Sequence, residues 1–239
     1  KNMESQKPKI AMYVKRPFGE KLNASFDFLK ENWKLLLKFT TYLLLPLCLI
    51  QALSLNGLMS GALSISAIAS STAMAASSSS LIAFGSYYGL YMFLYLIGII
   101  LLTSLVYGLI RTYNEREERL QGVTLGMLKP RLFRNIKRLL LMTGACILLV
   151  LFVGIFVGLL VALTPFTLFL TIPFIIAFSV PLALLAPIYL FEDITLMEAF
   201  KKTFRLGFAT WGGVFLVSLL MGIIANVLQG VTMMPWYIA

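Results

Sequence analysis

Read from end to end, the chain alternates three charged segments with long stretches that carry no charge. Residues 1–38, 111–138 and 192–205 hold every Lys, Arg, Asp and Glu. The charge-free stretches between and after them, 39–110, 139–191 and 206–239, contain 72, 53 and 34 residues. A spanning helix needs about 20 apolar residues, so the simplest partition is two spans, two spans and one. We place them near 36–56, 86–110, 139–162, 167–190 and 211–233. The stretch 57–85 between the first two spans is rich in Ser, Ala and Gly and contains the run Ser77 to Ser80. Such residues gain little on entering lipid and have loop-like composition, so we expect a Ser/Ala-rich outer loop there. The fourth span carries Pro173, Pro181 and Pro187, each of which removes a backbone donor and bends a helix. Thr164-Pro165-Phe166-Thr167 reads as a tight turn before it.

Each charged segment ends in a stretch of helical spacing that leads into the next span. Phe26, Leu29, Trp33 and Leu36 recur at three- and four-residue steps, as do Leu125, Leu128, Leu132, Phe133 and Ile136, and then Met197, Phe200, Phe204 and Phe208. Charged residues occupy the other sides, the signature of amphipathic helices lying in the headgroup region. Thr195 and Glu198 fit a capping box that starts the third of these near Leu196. The chain therefore predicts an all-α, polytopic helical membrane protein in a single domain, 1–239, with five transmembrane helices and interfacial amphipathic helices before the hairpins. Residues 1–35 form an N-terminal interfacial segment, 36–110 a first hairpin, 111–190 an interfacial helix and second hairpin, and 191–239 an interfacial helix and fifth span. The unit looks repeated three times, with the last copy incomplete.

Composition sharpens this picture. Of 239 residues 59% are hydrophobic and 13% charged, against roughly 25% charged in an ordinary soluble domain, so the solvent is lipid. There is no histidine, which removes Ser-His-Asp and Cys-His catalysis and every His-ligated metal or haem centre. The two cysteines, Cys48 and Cys146, sit in apolar runs and read as small buried hydrophobes. Neither a metal nor another cofactor is expected. The acidic trio Glu192, Asp193 and Glu198 reads as helix initiation. The net charge of +10 lies next to spans, so nucleic acid is not the expected partner.

Segment 1–38 has nine basic and four acidic residues, 111–138 has eight and three, and 192–205 has three of each. Basic loops stay on the cytoplasmic side, which puts the N-terminus and all three charged segments inside and Ala239 outside. The candidate headgroup contacts are Lys129, Arg131, Arg134, Lys137, Arg138, Lys201, Lys202 and Arg205. Near an anionic leaflet each is worth about 1 kcal/mol. Within the spans the strongest polar groups are Gln51 and Asn56, Thr103 and Ser104, and Asn226 and Gln229, the amides being candidates for bonds between helices or for contact with a polar solute. Gly154 with Gly158, and Gly57 with Gly61, have the spacing that lets helices approach closely.

The stretch from Phe191 to Phe215, FEDITLMEAFKKTFRLGFATWGGVF, has an acidic start, a Thr-x-x-Glu-Ala helix and a basic-aromatic run leading into a span. It resembles the membrane region of some bacterial glycerophosphodiester phosphodiesterases and the stand-alone YciC-like membrane proteins. Ser25 to Phe39, SFDFLKENWKLLLKF, resembles the start of the first helix in that group. The resemblance implies a bacterial inner-membrane protein of about six helices, and it carries no catalytic residue, because the phosphodiesterase site belongs to a soluble domain. The expected function is a non-enzymatic scaffold, assembly or membrane-homeostasis role through anionic lipids, a membrane-protein partner or a second copy. The alternative is a transporter or channel-like module for a lipid or neutral solute.

The orientation is testable in intact cells. With Cys48 and Cys146 replaced by Ala, Ser78→Cys should react with an impermeant thiol reagent and Arg134→Cys only after permeabilisation. Labelling at 134 but not 78 inverts the topology.

Overall fold

The computed structural model describes residues 8–11, 14–70 and 78–238. Among these residues it contains seven helices and no strand: α1 (Phe18–Ser70), α2 (Ser78–Glu115), α3 (Leu125–Leu163), α4 (Thr167–Leu182), α5 (Leu185–Phe191), α6 (Leu196–Ala209) and α7 (Trp211–Ile238). Five stretches are long and apolar enough to cross a bilayer: Phe18–Gly57, Ile82–Glu115, Leu125–Leu163, Thr167–Phe191 and Trp211–Thr232. The chain is thus an all-α polytopic membrane protein, with its spans where the charge pattern puts them. Helix is the form that satisfies every backbone polar group without water. The outer surface agrees, since Leu148, Phe152 and Phe169 are 69%, 72% and 81% exposed. Water penalises such area and lipid does not.

The helices depart from the sequence pattern in three places. The stretch 57–85, expected as a loop, is helical over 57–70 in α1 and from Ser78 in α2, while 71–77 lies outside the described residues. Alanine and leucine between the serines favour helix, and no proline or charge interrupts it. Ser60 bonds back along the turn, its Oγ donating to the Gly57 carbonyl at 2.9 Å. Second, the first two amphipathic stretches are the opening turns of α1 and α3 rather than separate helices; only α6 stands apart. Third, the fourth span is two helices, broken at residues 183–184. Pro187 lacks the amide that would bond Ala183, and its ring crowds that carbonyl, which ends α4 at Leu182.

The chain divides into two compact units, one built on residues 26–137 with 8–11 and one on 14–25 with 138–238. In the first, Phe28 and Phe39 of α1 meet Leu105, Leu109 and Tyr113 of α2 and Leu128 and Leu132 of α3. The Phe28 and Tyr113 rings meet edge to face, 5.2 Å apart. Gly57 lets α1 lie against the Tyr87 ring of α2, where a Cβ would fall 2.5 Å from the ring. The surroundings of Gly61 lie outside the described residues. Gly154 and Gly158 have nothing within 4 Å of where a Cβ would stand, so their side of α3 is open.

In the second unit Leu185 and Tyr189 of α5 pack on Ala199 of α6, with Cys146 against the cluster. Cys48, by contrast, is exposed on α1, because that face of the helix is turned outward rather than into the core. The face of α6 that is buried carries Ala199, Thr203 and Gly207. At Gly207 the helix comes so close to Pro181 that a Cβ would stand 2.6 Å from the Pro181 Cα. Phe178 lies edge-on to Phe204 and Phe208, at 5.9 and 5.4 Å. Pro181 leaves the Ala177 carbonyl without its usual amide donor, and the Trp211 indole N–H donates to that oxygen at 3.0 Å.

Gly207→Ala must therefore overpack against backbone, at a cost of about 1–3 kcal/mol. Gly213→Ala, where nothing lies within 4 Å, serves as the matched control. Thermal unfolding in detergent followed by circular dichroism should show a lower midpoint for Gly207→Ala only. Equal midpoints would refute the close approach.

Candidate functional site

Charge is confined to the ends of the spans, and there the side chains divide into those spent on the protein and those presented outward. In the first turns of α1 the helix surface runs through a regular order. Phe28, Asn32 and Phe39 are buried on one side. Phe26, Leu29, Trp33 and Leu37, 40–59% exposed, form an outward apolar row. Lys30, Lys34 and Lys38, all exposed, run beside it at four-residue spacing. Phe26, Leu29 and Trp33 of the stripe read from the sequence thus face outward, whereas Leu36 packs against the core, and the face of Phe28, Asn32 and Phe39 was missed. Its signal was present in the spacing of Phe28, Asn32 and Phe39, but a polar member hid it.

Glu31 lies between the lysine row and the buried face. Arg119 donates to its carboxylate at 2.7 Å and the Tyr113 hydroxyl at 3.2 Å. Arg119 occupies a left-handed backbone conformation, φ 59°, in the connection that links α2 to α3. Such a conformation costs about 1 kcal/mol or more for a non-glycine residue, and the ion pair helps hold it. Glu31 in turn raises the Arg119 pKa, chiefly through that hydrogen bond. Lys9 reaches the same end of α2 and donates to the Asn114 and Arg116 carbonyls at 2.7 and 3.1 Å, capping orphan acceptors at a negative helix terminus. A cleft of about 460 Å³ opens here, lined by Glu31 to Leu35 of α1 and by Arg119, Leu120 and Gln121.

The eight basic candidates separate in the same way. Arg131 is spent on Glu115 and on the Thr112 hydroxyl, the latter at 3.1 Å. Arg138 donates to Asp193 at 2.9 Å and to the Ile194 carbonyl at 2.7 Å, with its guanidinium 4.2 Å from the Tyr189 ring centre. That clasp holds Asp193, another left-handed residue at φ 53°. Lys202 pairs with Glu192 at 2.5 Å. Lys129, Lys137, Lys201 and Arg205 are exposed, while Arg134, also exposed, is engaged within the protein as well. The acidic residues at the start of α6 thus each answer a separate need: Glu192 and Asp193 before it meet cations, and Glu198 in its first turn completes the cap.

The polar residues of the spans are not brought together. Asn226 donates to the Gly222 carbonyl of its own helix at 2.8 Å and is exposed. Gln229 and Asn56 are exposed and Gln51 is half-buried. Asn226 thus satisfies its amide one turn back, without a second helix. Ser104 does reach a second helix: its Oγ donates to the Leu132 carbonyl at 3.1 Å, and Asn135 Nδ2 donates to the Ser104 carbonyl at 3.4 Å. No protein-family model, curated protein or solved structure matches this chain.

At the start of α6 the Thr195 amide donates to the Glu198 carboxylate at 3.0 Å, and the Glu198 amide to Thr195 Oγ1 at 3.4 Å. The Thr195 backbone N–H is the main cause that lowers the Glu198 pKa. The cap prefers the ionised carboxylate, so its contribution is complete above the ordinary glutamate value and fades as pH falls through the lowered one. Thr195→Ala should cost about 1 kcal/mol at neutral pH and less in acid. Melting curves of both proteins at pH 7 and pH 3 check this, and a gap independent of pH would contradict it.

Proposed function

We propose that the protein is a non-enzymatic bacterial inner-membrane protein, N-terminus cytoplasmic, acting as a scaffold, assembly or membrane-homeostasis component through contacts with anionic lipid and with other membrane proteins. The observation that carries this reading is the order of side chains at the start of α1. An outward row of Phe26, Leu29, Trp33 and Leu37 lies directly beside Lys30, Lys34 and Lys38. Apolar and aromatic groups prefer the acyl boundary and ammonium groups the phosphates above it, so the two rows suit adjacent depths of one leaflet. Lysine stems can lie along the apolar row while their heads stay wet. The basic excess of the segments supports the cytoplasmic placement. The likeness of 25–39 and 191–215 to bacterial membrane proteins supports the compartment.

Lipid recognition of this kind is electrostatic and therefore sensitive to salt. In nanodiscs containing phosphatidylglycerol the thermal midpoint should exceed that in phosphatidylcholine. The difference should shrink at about 1 M salt, where the screening length is about 3 Å. Identical midpoints in the two lipids at low salt would end the proposal.

A further inference from the structure

The cleft beside the opening turns of α1 has a volume of about 460 Å³ and is lined by residues 31–35 of α1 and 119–121 of the connection after α2. Sites for small ligands run from about 300 to 1,000 Å³, so it has room for a lipid headgroup. Its charged residues are Glu31, Lys34 and Arg119. Glu31 is engaged at both oxygens, by Arg119 at 2.7 Å and by the Tyr113 hydroxyl at 3.2 Å, and the Glu31 and Arg119 charges cancel. Lys34 is exposed and makes no ion pair or hydrogen bond among the described residues; its ammonium stands 5.9 Å from the Trp33 ring centre. The cleft therefore carries one net positive charge, and that charge is on Lys34.

Asn32 adds a second, independent feature. It lines the cleft yet is only 8% exposed, and its Nδ2 donates to the Phe28 carbonyl of its own helix at 3.0 Å. That bond fixes which end of the amide is the donor. The other end, Oδ1, accepts no hydrogen bond among the described residues, and a buried acceptor calls for a donor. Leu120, buried, and Leu35, half-buried, give the cleft an apolar wall. Trp33, 55% exposed, joins it to the outward row of Phe26, Leu29 and Leu37. Lys34 stands five residues before the charge-free stretch that begins at residue 39. At 1.5 Å per residue that is about 8 Å, the headgroup level above the hydrocarbon. Lys30 and Lys38, exposed in the same row, do not line the cleft.

The geometry points to a binding site for the headgroup of one phosphatidylglycerol-type lipid, a reading that rests on the lipid contact proposed above and gives it an address and a headgroup. Lys34 meets the phosphate monoanion, Asn32 Oδ1 accepts a hydrogen bond from a headgroup hydroxyl, and an acyl chain descends along the row of Trp33. Phosphatidylethanolamine would bring a second positive charge into a cleft that is already positive. Phosphatidylcholine has neither a hydroxyl nor an N–H to offer Asn32.

Native mass spectrometry of the full chain in detergent, titrated with lipids of matched acyl chains, tests this. Phosphatidylglycerol should bind about fivefold more tightly than phosphatidylethanol, which has the same charge but no headgroup hydroxyl, the equivalent of ~1 kcal/mol for one hydrogen bond. Phosphatidylcholine should bind more weakly than either. Lys34→Gln should weaken phosphatidylglycerol binding about fivefold, as expected for one cation at an anionic group, while Lys30→Gln and Lys38→Gln leave it nearly unchanged. Asn32→Leu should bring phosphatidylglycerol down to the level of phosphatidylethanol; if that variant does not fold, the comparison of the two lipids on the wild type decides the same point. Equal binding of those two lipids, or tighter binding of phosphatidylethanolamine, would overturn the headgroup site. Equal losses in the three Lys→Gln variants would overturn the cleft while leaving general lipid contact standing. Absence of any preference for the anionic lipids over phosphatidylcholine would overturn both. Displacement of the lipid by an equal concentration of soluble glycerophosphate would assign the cleft to free phosphate esters and overturn the lipid.

Discussion

Hydrocarbon offers no partner to a polar group, and from that one constraint the rest of this structure follows. Backbone amides must bond within helices, and ionised side chains must leave the spans. The charged residues therefore crowd into short segments at helix ends, where, among the described residues, some find a counter-charge or a carbonyl and others are exposed. Arg119, Arg131, Arg138 and Lys202 take the first course. Exposed ion pairs contribute only about 0–1 kcal/mol each, so these pairs do less to stabilise the fold than to fix local geometry. Two of them hold left-handed residues, Arg119 and Asp193, at the connections where one helix hands over to the next.

The number and placement of the spans were legible because they depend on length and charge alone. So were the turn at 164–167 and the start of α6 at Leu196, each set by local chemistry. The buried face was legible at the start of α3, where Leu128 and Leu132 are buried as their spacing suggests, but not in α1 or α6. In water, the more apolar side of a helix turns inward, and that rule selects Phe26-Leu29-Trp33 and Met197-Phe200-Phe204-Phe208. In lipid the apolar side has no reason to hide, and close packing favours small or polar residues. Hence Asn32 and Thr203 are buried, while Trp33 and Met197 are exposed. The same argument explains Asn226, whose amide was expected to seek another helix and instead bonds to its own. The helical continuation over 57–70 was missed for a different reason, since serine content says little about backbone form where alanine and leucine accompany it.

Small residues and prolines act together in the second unit. Without a Cβ at Gly207, α6 can lie directly on Pro181. Without an amide at Pro181, the Ala177 carbonyl is left for Trp211, the first residue of α7. The bend in the fourth span is therefore matched by a missing side chain on one neighbour and a side-chain donor on the other. None of the three residues explains the arrangement alone, which is why the prolines by themselves suggested only that the helix would bend.

That matching bears on what the bend is for. A proline-broken helix works as a gate only if the break can change shape without losing its partners. Here α4 is held above the break by Gly207 and Trp211, and the segment after α5 is held by Arg138 through Asp193 and the Ile194 carbonyl. Straightening the helix would drive Pro181 into backbone or strip the half-buried Ala177 carbonyl of its donor. The break is thus better described as a fixed corner. A fixed corner supports the proposed work at the headgroup level over a passage through the interior.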